Sequence, residues 1–94
     1  MKIEFDPAKD ASNRDKHGVS LAFGAMIWDD PASVVVPTTR VEDGELRFRA
    51  IGLVEGRCWT AVHVHRGQTV RLISVRRSND GELRVYDSAA GRPE

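Results

Sequence analysis

The sequence predicts an α+β fold, with an N-terminal strand and two helices packed on an antiparallel β-meander and a short C-terminal helix to finish. Three observations predict it. Helix-start signals occur near both ends, at Asp6-Pro7 and at Asn79 with Glu82 three residues on. Between residues 31 and 45 the polarity pattern changes from helical spacing to alternation. Three alternating runs then follow, joined by glycine-containing turns too short for anything but antiparallel neighbours.

Taken in order, Lys2 to Phe5 alternates in polarity and reads as a short strand. Asp6 is placed to cap the free N–H groups of a helix, and Pro7 suits its first position. The helix runs through Asn13 and Lys16, and Gly18 fits the left-handed residue that ends it. Ser20 looks like the cap of a second α-helix, from Leu21 to about Trp28, with Phe23, Ile27 and Trp28 on one broad apolar face. Asp29-Asp30-Pro31 stops it. Ser33 to Val36 is a short β run ended by Pro37, and Glu42-Asp43-Gly44 is a turn signal. Glu45 to Val54 alternates, with Leu46, Phe48 and Ala50 opposite Arg47, Arg49 and Ile51. Glu55-Gly56 is a tight hairpin turn. Arg57 to Arg66 follows, with Trp59, Ala61, His63 and His65 on one face and Cys58, Thr60, Val62 and Val64 on the other. After the turn at Arg66-Gly67-Gln68, Thr69 to Arg76 is the last strand. Asn79 and Glu82 resemble a capping box for a helix to about Tyr86 or Asp87. The domain is therefore expected over residues 1–87, with a small, polar, flexible tail at 88–94.

A chain of 94 residues with 40% hydrophobic and 30% charged content reads as one globular domain with a modest core. No apolar stretch approaches the roughly 20 residues that cross a bilayer, and the N-terminus lacks a signal-peptide pattern. Cytoplasm is the expected location, with no membrane partner. One cysteine, Cys58, excludes an intrachain disulfide and a cysteine zinc cluster, and its place in an apolar strand makes it a core residue. The net charge of zero hides an asymmetry: residues 1–45 hold five Lys/Arg against nine Asp/Glu, and residues 46–94 hold nine Arg against five. Arginine offers a planar donor fork that fits phosphate.

Phe5-Asp6-Pro7-Ala8-Lys9, Asn13, and Lys16-His17-Gly18-Val19-Ser20 together resemble the opening of the BrnT toxin family. Phe23, Asp29-Asp30-Pro31, Gly44-Glu45-x-Arg47 and Ile51-Gly52 fit the same pattern. Arg71-Leu72-Ile73-Ser74-Val75-Arg76-Arg77, with Glu82 and Tyr86 beyond it, is similar to that family's closing segment. The likeness spans about residues 2 to 87. It departs at Ser78-Asn79-Asp80-Gly81, where the family is usually basic, at Val75 in place of alanine, and at Leu21 in place of phenylalanine. What the resemblance implies is a RelE-like fold and a ribonuclease that halts translation. It also implies neutralisation by a ribbon-helix-helix antitoxin in a 2:2 heterotetramer, which reaches operator DNA only through the antitoxin.

RNA cleavage by the ribose 2′-hydroxyl needs a proton acceptor and positive charge at the phosphoryl oxygens. Arg71 and Arg76, in the segment that matches best, are the leading catalytic candidates, with His63 and Glu82 for proton transfer. Arg47, Arg49, Arg77, Lys16 and Tyr86 are candidates for holding RNA. On a regular strand Arg71 and Arg76 point to opposite faces, so a bulge or an early strand end is required for them to act together. Each candidate also has a structural reading: the arginines as a solvated sheet face, Glu82 as the capping-box acid, Tyr86 as a packing residue, His17 as a helix-end cation. Lys9, Asn13 and Lys16 fall on one exposed helix stripe, open to RNA or to the antitoxin. His63-x-His65 gives two metal ligands without a third, and no P-loop or H-E-x-x-H is present, so no metal and no cofactor are expected. Two other classes stay open: a non-catalytic binding module or decayed toxin acting only in an antitoxin–operator DNA complex, and a metal-dependent enzyme at His63 and His65.

Overall fold

The computed structural model describes residues 1–42 and 44–89, with the backbone alone at 39–42. Its elements are β1 (Lys2–Glu4), α1 (Pro7–His17), a 3₁₀ helix (Ala22–Asp29), β2 (Val34–Glu42), β3 (Glu45–Val54), β4 (Arg57–Arg66), β5 (Thr69–Arg77) and α2 (Asp80–Ala89). The five strands form one sheet in the order β1-β5-β4-β3-β2. All neighbours are antiparallel except β1, which runs parallel to β5 along Thr69 to Arg71. This is the α+β arrangement expected, with the β3-β4-β5 meander at its centre.

Local chemistry explains the boundaries. Asp6 accepts the Ala8 N–H at 2.9 Å, and Gly18 ends α1 in the left-handed region at φ 77°. The β3–β4 turn places Glu55 and Gly56 at φ 52° and 80°, the conformation of a two-residue hairpin whose twist matches its strands. In α2, Glu82 N–H donates to Asn79 Oδ1 at 2.8 Å and Asn79 N–H donates to Glu82 Oε1 at 3.0 Å, a reciprocal capping box.

Four expectations change. The second helix is 3₁₀ rather than α, although Ser20 Oγ does accept the Phe23 N–H at 3.1 Å. Gly24 lies so close to β5 that a Cβ there would stand 2.6 Å from Val75 Cγ2, so a glycine is what lets this helix approach the sheet. β2 does not end at Pro37 but runs to Glu42. It is an edge strand whose register shifts between Pro37 and Val41, and an edge tolerates a residue without an N–H. Asn13, expected on an exposed stripe, is buried. α2 extends to Ala89, and residues 90–94 of the expected tail, like Asp43 of the expected turn, lie outside the described residues.

The two faces of the sheet carry different cores. α1 and the 3₁₀ helix cover one face, burying Leu21, Ile27, Ala50, Trp59, Ala61, Val70, Leu72 and Val75. On the other face α2 seals a smaller cluster of Ile51, Cys58 and Tyr86. Each fully buried aliphatic side chain contributes about 1.5–3 kcal/mol. Asn13 ties α1 to the edge of β5: its Nδ2 donates to Val75 O and Val19 O, and its Oδ1 accepts Val75 N–H, all at 2.9 Å.

Candidate functional site

A single bulge decides where the arginines lie. Val62 pairs with Ser74 and His63 with Leu72, so Ile73 is an extra residue in β5 and the alternation of that strand flips there. Arg71 therefore pairs with Val64, and Arg76 with Thr60. Val64 and Thr60 share a face of the regular strand β4, so both arginines share it too. On β3, Arg49 pairs with Val62 and Ile51 with Thr60, which puts Arg49 on this same face. Alternation adds Arg47. Across the edge, Glu4 pairs with Arg71. This is the face that α2 partly covers.

Within it the side chains form two groups. In the first, Glu82 reaches down from α2 with its carboxylate 1% exposed. Arg76 clamps it with Nη1 to Oε1 at 2.6 Å and Nη2 to Oε2 at 2.8 Å, and Arg49 Nη1 adds a bond to Oε2 at 3.2 Å. Thr60 Oγ1 donates to Oε1 at 3.0 Å. Burial works to raise the carboxyl pKa, but the bonds from Arg76, the Asn79 N–H and Thr60 outweigh it and lower it to about 2. The whole side chains of Arg49 and Arg76 are 32% and 29% exposed. Arg49 Nε has no hydrogen-bond partner among the described residues.

The second group lies farther along the strands. Arg71 Nη1 donates to Glu4 Oε2 at 2.6 Å, and Arg66 grips Glu45 at 2.9 and 3.1 Å. The Glu45 carboxyl is held below its usual range, chiefly by the bond from Arg66, with Arg71 and Arg47 adding attraction. Four residues of β4 separate the partners of Arg71 and Arg76, roughly 13 Å at strand spacing. The two arginines share a face without converging on one point.

Other candidates lie elsewhere. His63 is on the helix-covered face, with no exposed surface, between Trp28 at 5.0 Å and Phe48 at 6.0 Å centroid distance. Its Nδ1 lies 3.0 Å from Ala61 O, which assigns the proton to Nδ1 and leaves Nε2 buried without a partner among the described residues. Burial pushes this imidazole's pKa down, against the opposing pull of the Ala61 carbonyl. Strand alternation thus puts the thickness of the sheet between His63 and the Arg49–Arg76 pair. Arg77 is also on the far side, its guanidinium 5.6 Å over the Trp59 ring. Tyr86 is only 3% exposed and donates its hydroxyl to Asp30 Oδ2 at 2.7 Å, so it moors α2 rather than offering a ring to solvent. Lys16 is exposed on α1, beside the edge of β5.

Three contributors show nothing of these roles in polarity or periodicity, although Asn13 and Asp30 belong to the motifs that resemble the family. Thr60 is defined only by its register with Arg76. Asp30 reads as a helix stop, yet it accepts from Leu53 N, Ala32 N and the Tyr86 hydroxyl. Asn13 reads as a surface residue.

The sheet face beside α2 thus holds an arginine pair bonded to one buried carboxylate. The family model described as the ribonuclease toxin BrnT of type II toxin–antitoxin systems matches residues 5–82. No curated protein matches the sequence. Among the described residues no helix is long and apolar enough to cross a membrane. A type II toxin is paired with an antitoxin. On this match, which covers most of the sequence, the chain belongs to the BrnT family of ribonuclease toxins.

Proposed function

We propose that the chain is a RelE-like, metal-independent endoribonuclease whose cutting of RNA inhibits translation in the cytoplasm. The observation that carries this reading is the meeting of Arg49 and Arg76, from strands on either side of β4, at one carboxylate. A phosphodiester set against the outward N–H groups of the pair is cut when the ribose 2′-hydroxyl attacks phosphorus. The 2′-proton passes to solvent water, the P–O5′ bond breaks, and the 5′-oxygen takes a proton from solvent, giving a 2′,3′-cyclic phosphate and a 5′-hydroxyl. Fixed positive charge at the developing phosphorane is the main catalytic effect, and one such donor is worth about 10²–10³ in rate.

In this reading Glu82 is a positioning residue. A carboxyl with a pKa of about 2 and both oxygens occupied is a poor base at neutral pH. His63 takes no part, because it lies across the sheet. Arg47 and Arg71 hold the strand farther along, on neighbouring phosphates. A ribbon-helix-helix antitoxin silences the toxin in a 2:2 heterotetramer and is its only link to operator DNA. The rival reading, a non-catalytic module, draws on Glu82, which engages both arginines and offsets one of their two charges.

The test is expression of the free chain, followed by incubation of the purified protein with RNA in excess chelator. Growth arrest and chelator-resistant cleavage to cyclic-phosphate ends are expected. A strand carrying a 2′-deoxy sugar at the cut site should survive, and Arg76→Lys and Arg49→Lys should cut far more slowly. Intact RNA with unimpaired growth would leave the binding-module reading in possession, and cleavage lost to chelator would overturn metal independence.

A further inference from the structure

The edge of β5 holds a second cationic feature. β1 stops at Glu4, opposite Arg71, and Asn13 seals the edge only at Val75. Between them, where Ile73 bulges, the edge opens into a hollow of about 230 Å³ lined by Lys9, Ser12, Asn13, Lys16 and His17 of α1 and by Ile73 and Ser74. That is smaller than the 300–1,000 Å³ typical of drug-sized ligands. The lining offers two ammonium groups, an imidazole and two hydroxyls, with no carboxylate. Asp10, the nearest acid to Lys9 on α1, is turned to other work: Oδ1 accepts the Leu21 N–H and Oδ2 pairs with Arg14. Ser74 pairs with Val62 and so belongs to the arginine face, two residues from Arg76. Ser74 thus both lines the hollow and belongs to the arginine face.

We infer that this hollow is a second phosphate subsite, in which Lys9 and Lys16, with Ser12 and Ser74, hold a backbone phosphodiester of an RNA strand that crosses β5 from the Arg49–Arg76 pair. The inference rests on the RNA-cleaving reading and adds a path for the strand. Asn13 supports the subsite without touching the ligand. Its amide is spent on Val19 and Val75, which fixes α1 so that Lys9 and Lys16, at i and i+7, stand on either side of it.

The test measures binding of a labelled, uncleavable 2′-O-methyl RNA 12-mer as a function of salt, for the wild type and for Lys9→Gln/Lys16→Gln. Both lysines are exposed, so the thermal midpoint should hold and serves as the folding control. Losing that one phosphate contact should reduce the slope of log K against log salt by about 0.7, the value per phosphate for single strands. A dinucleotide that reaches only the arginine pair should bind both proteins alike. An unchanged slope for the 12-mer overturns the subsite, as does a double variant that loses only antitoxin binding. So does inorganic phosphate perturbing Lys9 and Lys16 by NMR while 12-mer affinity is untouched, because the hollow then takes free phosphate and not a strand. A wild type that binds no oligonucleotide refutes the RNA reading itself, and the subsite with it.

Discussion

Replacing Glu82 by glutamine removes one charge and keeps the shape, and its effect should depend on pH in a defined way. The carboxyl pKa is lowered from 4.5 to about 2 in the folded protein. At about 1.4 kcal/mol per pKa unit, the native fold favours the ionised group by about 3 kcal/mol. The side chain is 1% exposed, so solvent screening takes little from this figure. The folded pKa is depressed, so the contribution is complete above 4.5, where both states are ionised. It shrinks as pH falls, because the unfolded chain takes up the proton first, and it is gone near pH 2. Glutamine mimics the protonated acid at every pH. Urea denaturation at pH 7 should find Glu82→Gln less stable by about 3 kcal/mol, or roughly 12–24 °C in thermal midpoint. By pH 3.5 the gap should have narrowed by about 1.4 kcal/mol, one pKa unit's worth. Other carboxyls titrate in both proteins and cancel in the difference. A gap that stays constant from pH 7 to 3.5 would refute the claim that Glu82 is an ionised anchor for Arg49 and Arg76.

Arg71→Ala breaks a half-exposed pair with Glu4 and should change stability by less than about 1 kcal/mol, while weakening RNA binding; a large drop in thermal midpoint would show that Arg71 is structural. Asn13→Ala strands the N–H and C=O of Val75 at a buried edge and should cost about 2–6 kcal/mol in urea unfolding, at about 1–3 per orphaned group. His63 is held neutral, with a folded pKa below the 6.5 of the free side chain, so the unfolded chain protonates first and stability declines as pH drops below about 6.5. His63→Phe should abolish that part of the decline, and cleavage by the folded variant should persist; loss of cleavage would return His63 to the mechanism.

Much of the fold was legible because it is set locally. The boundaries at Asp6, Gly18, Glu45, Val54, Arg57, Arg66 and Asn79 follow from caps and turns, whose chemistry lies within three or four residues. Pro37 misled because its cost depends on whether a strand is at an edge, which is a property of the sheet. The close fit of Gly24 against Val75 leaves no mark in the local sequence, since the two residues are far apart in the chain. The split between His63 and Arg49 was available from alternation alone: His63 shares a face with Trp59 and Ala61, and Arg49 shares one with Ile51. Pairing them as partners in one site set residue type above strand geometry. Asn13 was unreadable as a buried group, since nothing in a helix of charged and polar residues marks the one whose amide meets a sheet edge.

The bulge at Ile73 is where fold and proposed chemistry meet. Without it, Arg71 and Arg76 would lie on opposite faces, and one of them would have to enter the core beside Leu21 and Ile27. With it, Leu72 and Val75 both turn inward although three residues separate them, while Arg71, Ser74 and Arg76 all turn outward. The extra residue also unseals the edge of β5 at the point where β1 has ended, which opens the hollow between α1 and the strand. One inserted residue thus places two arginines on a common face and makes the gap beside Lys9 and Lys16. Deleting Ile73 should therefore do more than trim a loop. It would restore regular alternation and force either Arg71 or the Arg76–Glu82 clamp out of place. Such a variant should lose RNA binding and stability together, whereas Ile73→Ala, which keeps the bulge, should retain both to within about 1–2 kcal/mol for a half-buried side chain. Equal behaviour of the deletion and the substitution would mean that the register of β5, and not its bulge, is what the arginines depend on.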